Sequence, residues 1–252
     1  MKIALIGYGK MGHMIERIAL ERGNEITCRI DLNNTEDLDS EAFRSSDVAI
    51  EFTTPSTALD NVLRCFRAGV PVVSGTTGWT QHLDRMHELC DRGEGTLLWA
   101  SNFSIGVNIF MAINKYLAGI MESFKDYTPS MTEVHHIHKL DHPSGTALSL
   151  AEQIIDSSSR IQHWAEPQEG ANAADAPADT LMISHERRGE VPGIHTITWD
   201  SPCDEIIITH SAKSREGFAL GAVIAAEWLA GKSGWHTMPE VLTDITHQDI
   251  FK

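Results

Sequence analysis

Along the first hundred residues, short apolar runs rich in β-branched side chains alternate with stretches whose apolar positions recur at helical spacing. The runs over residues 2–6, 25–30, 47–52, 71–74 and 96–100 predict five strands, and helical patterns over 11–22, 56–68 and 80–92 fall between them. Strands that alternate with helices imply a parallel sheet covered on both faces. In such sheets, ligands sit at the carboxyl ends of the strands.

The pattern changes after Asn102. Residues 105–122 read as one long, largely apolar helix. Strands are expected around 131–136, 181–186, 195–200 and 204–211, with a single helix over 144–158 among them. The stretch 188–193 (RGEVPG) reads as a hairpin connection. Residues 165–179, rich in Ala, Pro, Gly and acids, are expected to form an exposed loop. A final helix over 216–230 is expected to pack back on the first region. The fold class is therefore α/β: residues 1–104 and 216–252 form a domain around a parallel sheet, and 105–215 form a second, α+β domain with a mixed sheet.

A chain of 252 residues with 42% hydrophobic and 22% charged positions has the makings of a globular core and none of the signs of disorder. Its net charge of −15 argues against a phosphate-backbone binder, which needs lysines and arginines to displace counterions, so no nucleic-acid partner is expected. Cys28, Cys65, Cys90 and Cys203 are scattered without C-x-x-C pairing, which suits reduced thiols in a cytoplasm. No stretch resembles a signal peptide or reaches transmembrane length, so a cytoplasmic protein without a membrane partner is expected.

Gly7-Tyr8-Gly9-Lys10-Met11-Gly12 is G-x-G-x-x-G, placed directly after the first strand and opening the first helix. The pattern alone is weak, but the second strand ends at Asp31, near the spacing expected for the acid that holds an adenosine ribose. A pyrophosphate would meet the positive end of the helix. Asp31 would repel a 2′-phosphate, and Leu32, Asn33 and Asn34 bring no cation, so NADH is expected to be preferred over NADPH. Two compact turns, Gly75-Thr76-Thr77 after the fourth strand and Ala100-Ser101-Asn102-Phe103 after the fifth, are placed to meet the nicotinamide half.

The most unusual stretch is Glu133–Ala147, EVHHIHKLDHPSGTA. His135, His136 and Lys139 offer proton donors and positive charge. Ser144-Gly145-Thr146 starts a helix and presents backbone N–H groups and a hydroxyl suited to a carboxylate. Clustered histidines also suggest a metal, but His135 and His136 would point to opposite faces of a strand, and carboxylates at helical spacing are missing, so no metal is expected. A solvated polar loop is the plain alternative.

This stretch resembles the signature of the 4-hydroxy-tetrahydrodipicolinate reductase (dihydrodipicolinate reductase) family. Also similar, in the family's order, are Gly7–Gly12, Phe52-Thr53-Thr54-Pro55, GTTG at 75–78, NFSIGVN at 102–108, RGEVPGIHT at 188–196 and SREGFALG at 214–221. The resemblance spans nearly the whole chain. It implies an NAD(P)H-dependent reduction of a cyclic imine dicarboxylate in lysine and diaminopimelate synthesis. It further implies a Rossmann-type cofactor domain, a second domain that binds substrate and tetramerises, and hence a homotetramer. His135 resembles the family's proton donor/acceptor and Lys139 its second donor. His136, Gly145 and Thr146 resemble its substrate-binding positions. Arg215 falls where the family carries an arginine near the substrate. Ile137 and His142 depart from it, standing where many members have arginine and alanine. Other dehydrogenases of amino-acid-derived substrates share the nucleotide motif but offer no reason for H-H-x-x-K followed by P-S-G-T. A nicotinamide-sensing regulator would need a DNA-binding module, which the acidic charge argues against.

Overall fold

The computed structural model describes residues 1–167 and 177–251. The elements run β1 (Lys2–Ile6), α1 (Lys10–Glu21), β2 (Glu25–Ile30), α2 (Glu41–Arg44), β3 (Val48–Glu51), α3 (Pro55–Ala68), β4 (Val72–Ser74), α4 (Leu83–Asp91) and β5 (Thr96–Trp99). Then follow α5 (Ile105–Met121), β6 (Thr128–His135), α6 (Gly145–Asp156), β7 (His163–Ala165), β8 (Thr180–Arg187), β9 (Ile194–Asp200) and β10 (Glu205–Ser211). The chain closes with α7 (Glu216–Leu229), β11 (Gly234–His236) and α8 (Met238–Thr246). It divides into two compact units, Met1–Ile105 with Glu216–Lys252, and Gly106–Arg215.

The first unit holds a parallel sheet in the order β11-β5-β4-β3-β1-β2. Successive residues of a strand face opposite sides. Ile3, Leu5, Val48 and Ile50 therefore meet α1 and α7 on one face, while Ala4, Ile6, Ala49 and Val72 meet α3 and α4 residues on the other. A strand covered on both sides must be apolar throughout, which is why β1 reads as an unbroken run. Helix α1 buries Gly12, Ile15, Ile18 and Ala19, a stripe at helical spacing. Helix α3 starts with Thr54 and Thr57 in a reciprocal capping box and Pro55 in its first turn, and ends on the left-handed Gly69. The strand order reverses between β1 and β3, and a crevice opens there at the strands' carboxyl ends.

Four elements of this unit escape the sequence pattern. A turn of 3-10 helix (Thr35–Asp39) with α2 fills the β2–β3 connection. After α7, which is not the last helix, β11 adds a sixth strand and α8 closes the chain. Helix α7 is buried along Ala219, Gly221, Ala222, Ala225 and Ala226, small residues that let it lie close on the sheet, together with Val223 and Leu229.

In the second unit the order is β10-β9-β6-β8-β7. Strand β6 pairs antiparallel to β9 and parallel to β8. The expected hairpin at 188–193 is therefore corrected: β8 and β9 flank β6 on opposite sides, and the segment crosses over it. The hairpin joins β9 to β10 instead, across a turn in which Ser201 Oγ accepts the N–H groups of Cys203 and Asp204 at 3.2 and 3.1 Å. Helix α6 buries Ala147, Leu150, Ala151 and Ile154 in a core with Met131, Leu181, Ile183, Ile197 and Trp199. The loop expected over 165–179 begins at the last residue of β7, and residues 168–176 lie outside the described residues.

A Cβ at Gly221 would lie 1.7 Å from the Phe103 carbonyl oxygen, so α7 touches the turn after β5 backbone to backbone. Gly221→Ala is expected to destabilise the protein by about 1–3 kcal/mol, read as a lowered Tm in thermal unfolding.

Candidate active site

In the first unit the glycine-rich turn is fixed by close contacts. Gly7 has φ +93°, donates its N–H to Ile30 O at 2.8 Å, and a Cβ there would stand 2.0 Å from Phe52 O. A Cβ on Gly12 would reach within 2.3 Å of Gly7 O, which holds α1 tight against β1. Around Gly9, by contrast, there is open space, with α1 beginning at the next residue. A cavity of about 170 Å³ is lined by Gly7, Tyr8, Gly9, Asp31 and the Phe52–Thr54 turn. A second, of about 320 Å³, is lined by Gly9, Lys10, Met11, Gly12, Gly75, Thr76 and Thr77. The two share Gly9, Phe52 and Thr53, and form the kind of cradle a dinucleotide needs. Asp31 stands exposed, its carboxylate accepting only the local Leu32 N–H at 2.9 Å among the described residues.

Ala100, Ser101, Asn102 and Phe103 line neither cavity. Phe103 is core, its ring 5.8 Å from that of Phe52, and Asn102 Oδ1 accepts the Ser104 N–H at 2.9 Å.

Two acids not foreseen as functional organise this cradle. Glu51, at the end of β3 and wholly buried, accepts hydrogen bonds from Ser74 Oγ at 2.6 Å, Thr76 Oγ1 at 2.8 Å and Thr53 Oγ1. Thr76 Oγ1 in turn accepts the Thr53 N–H at 2.8 Å, and Trp79 and Trp99 donate to the Thr76 carbonyl. Two loops that line the cavities are thus tied to one carboxylate. On α1, Glu16 accepts from Tyr8 OH and from Arg29 Nε, the latter at 2.7 Å. The bond to Glu16 pushes the Tyr8 phenol above its ordinary pKa.

In the second unit, β6 carries Glu133 and His135 on the same buried face, two residues apart. Register then decides their neighbours: Glu133 lies opposite His195 on β9, and His135 opposite Arg187 on β8. Glu133 has no exposed surface. Its Oε2 accepts the Ser144 N–H at 3.1 Å, with His135 Nδ1 at 3.5 Å and His195 Nε2 at 3.7 Å. Arg187 Nη2 reaches its Oε1 at 3.4 Å and bonds the Asp141 carbonyl at 2.7 Å, while Arg187 Nε meets the Lys139 carbonyl at 3.2 Å. Arg187 thereby holds the loop that carries Lys139. The ammonium of Lys139 sits on Asp141, 2.9 and 2.8 Å from its two oxygens. His136 is half-buried, and among the described residues its Nδ1 has no hydrogen-bond partner.

Ser144 caps α6, its Oγ accepting the Ala147 N–H at 3.2 Å and sharing a hydrogen with His195 Nε2 at 3.1 Å. Among the described residues, the N–H groups of Gly145 and Thr146 meet no acceptor, and open space surrounds Gly145. The predicted residues of this unit therefore fall around one loop and one helix start. Glu133, Asp141, Ser144, Arg187 and His195 complete the set, and Arg215 is exposed.

The carboxylate absent at helical spacing is present at strand spacing, so Glu133, His135 and His195 lie within ligand distance of one another. Both Glu133 oxygens are already engaged, by Ser144 and the two imidazoles on one side and by the Arg187 guanidinium on the other. Burial alone would raise the Glu133 carboxyl, but His195 and Ser144 outweigh it and bring it down to about 2. Burial pushes the His135 imidazole down to about 4; Glu133 opposes this, while the neighbouring His195, Lys139 and Arg187 add to it. Unliganded His135 is neutral at pH 7.

The family model described as dihydrodipicolinate reductase, N-terminus, matches residues 1–103, and that for the C-terminus matches residues 106–242. The chain belongs to the dihydrodipicolinate reductase family. It is 45% identical over 245 residues to the 4-hydroxy-tetrahydrodipicolinate reductase of Christiangramia forsetii, covering 97% of this chain and 99% of that protein. It is 34% identical to the enzyme of the same name from Archaeoglobus fulgidus, covering 96% of this chain and 100% of that protein. Among solved structures, the dipicolinate-bound dihydrodipicolinate reductase from Paenisporosarcina sp. TG-14 superposes with a TM-score of 0.76 at 21% identity, covering 94% of this chain and 97% of that chain. That likeness establishes the fold, a Rossmann-type sheet unit followed by a mixed-sheet unit. As a member of this reductase family with a dinucleotide fold, the chain is an NAD(P)H-dependent oxidoreductase. Among the described residues no helix is long and apolar enough to cross a membrane.

The depressed groups set a stability profile. Unfolded His135 takes up a proton near pH 6.5, whereas the folded imidazole resists until about 4. Between those values the unfolded chain binds more protons, so stability falls as the pH drops through that window. Glu133 extends the loss: its contribution is complete above about pH 4.3 and disappears as the pH falls toward 2. Tm is expected to decline steadily from pH 7 to pH 4, and His135→Asn is expected to flatten the part between about 6.5 and 4.

Proposed function

We propose that this chain reduces the cyclic imine dicarboxylate derived from 4-hydroxy-tetrahydrodipicolinate to tetrahydrodipicolinate, with NAD(P)H, in diaminopimelate and lysine synthesis. The observation that carries the reading is the buried Glu133–His135–His195–Ser144 cluster at the base of a bare helix start, in a chain so similar to curated reductases of that name. In this reading the first unit binds the dinucleotide and the second binds the substrate.

The bound nicotinamide supplies hydride. The cradle fits such a group: Gly7 and Gly12 leave room for nothing but backbone, and Gly9 leaves space where a pyrophosphate would approach the start of α1. The N–H groups of Gly145 and Thr146, which meet no acceptor among the described residues, orient a substrate carboxylate together with the Thr146 hydroxyl and His136. Lys139 transfers its ammonium from Asp141 to the substrate and serves as a second proton donor. His135 is neutral at rest, but a dianion beside it opposes the charges of Lys139 and Arg187. Its pKa rises, and the imidazole gains the proton it must deliver to the electron-rich ring.

Asp31 underlies a preference for NADH. Its carboxylate suits ribose hydroxyls and opposes a 2′-phosphate, and Arg29, the cation on the adjoining strand, is committed to Glu16. We assign the chain to the cytoplasm and to a homotetramer; the apolar side chains of Ile113, Tyr116 and Ile120 on α5 and of Ile206 and Ile207 on β10 are exposed and suit burial by other copies.

Two assays test this reading. With freshly generated imine and NADH, absorbance at 340 nm should fall, and His135→Gln should lower kcat by roughly 10²–10⁴-fold while leaving the Kd for NADH unchanged; a variant that keeps its kcat removes His135 from the role. Measured side by side, kcat/KM should be higher with NADH than with NADPH, and an equal or reversed ratio would remove Asp31 from that role.

A further inference from the structure

We propose that His142, Glu166 and His185 form a divalent transition-metal site of the zinc type in the second unit, separate from the Glu133 cluster. Each comes from a different segment: the loop before α6, the residue following β7, and β8. His142 Nδ1 lies 2.7 Å and His185 Nδ1 2.9 Å from the same oxygen, Glu166 Oε1. All three offer a ligand atom within 4.8 Å of one another. The rings stack with centroids 4.1 Å apart and planes at 18°, which sets the two Nδ1 edges side by side.

Two imidazole nitrogens converging on one carboxylate oxygen mark a point where positive charge is favoured. Zinc binds His nitrogen and carboxylate oxygen at about 2.0–2.2 Å, which places neighbouring donors around one ion about 3.3 Å apart. The present N–O spacings of 2.7 and 2.9 Å are hydrogen-bond distances shorter than that, so the donors part by about half an ångström as a turn of each ring brings both lone pairs onto the ion. In the metal-free protein a Nδ1–H can point at Glu166; binding moves each such proton to Nε2 within a neutral imidazole, so the carboxylate keeps its charge for the metal. Side chains of 46%, 34% and 29% exposure for His142, His185 and Glu166 leave an open side for water ligands. Two nitrogens and one oxygen favour zinc, cobalt or nickel over the all-oxygen shells of calcium and magnesium. The ion would tie the segment that follows Lys139 and Asp141 to β8, a staple that spacing along the sequence does not announce.

The test is calorimetric titration of the EDTA-treated full-length protein with zinc chloride, followed by cobalt(II) absorption in the visible and thermal unfolding. One zinc per chain should bind and raise Tm, and cobalt should give ligand-field bands. His142→Ala, His185→Ala and Glu166→Gln should each weaken binding by roughly 100-fold and abolish both the Tm rise and the bands. Their metal-free Tm should match that of the parent, which separates lost ligation from lost folding. His138→Ala, which removes an exposed imidazole paired with Glu190 at 3.1 Å, should change none of these readings. No saturable binding, or binding equally tight in the three variants, would overturn the site.

Discussion

A carboxylate with no exposed surface has to be compensated from every side, and Glu133 is compensated by groups from four segments. It takes the N–H that opens α6, one imidazole from its own strand, another from β9 and a guanidinium from β8. Each partner is then fixed for another task. Ser144 caps the helix whose next two N–H groups meet no acceptor among the described residues, His135 is kept neutral by burial with the nearby positive groups adding to it, and Arg187 pins the carbonyls of Lys139 and Asp141. Replacing the acid would leave a half-buried guanidinium and a helix cap without their shared partner, which costs more than the pair itself contributes. The second unit's chemistry is built outward from this residue.

Glu51 plays the corresponding part in the first unit, with neutral partners. Three hydroxyls saturate it, and two of them belong to turns that line the cofactor cradle. The strand order reverses between β1 and β3, so the ends of those strands splay apart and create the crevice. Gly7 then has to pass so close to Phe52 O that only hydrogen fits in place of a side chain. The glycine-rich motif answers to this topology as much as to the ligand.

Periodicity was a good guide where an element is long or buried on both faces, as in β1, α1 and α7, because burial imposes the pattern. It failed at β11, three residues long, and at α8, although Thr237 and Glu240 form the capping box that could have revealed that helix. Strand β6 starts before its predicted position because Pro129 breaks the strand-like composition. The hairpin reading of 188–193 went astray because adjacency in sequence does not reveal that β6 intervenes. The site shows the same division. Gly7–Gly12, His135 and Lys139 stand out by motif and resemblance, whereas Glu133 with His195, and His135 with Arg187, meet only through strand register across more than fifty residues. Pairings of that kind carry no local signal.

The resting charges explain how such a site can be both stable and reactive. Lys139 is matched by Asp141 and Arg187 by Glu133, while burial leaves His135 without a charge. A dianionic ligand disturbs that balance in one direction. It offers Lys139 a second acceptor and adds negative potential beside an imidazole that burial had stripped of its proton. The same burial that makes protonated His135 unfavourable in the empty protein strengthens its interaction with a bound anion, because both effects come from the absence of water. In the proposed reduction, proton donation by His135 is thus tied to occupancy, and the geometry around it rests on Glu133.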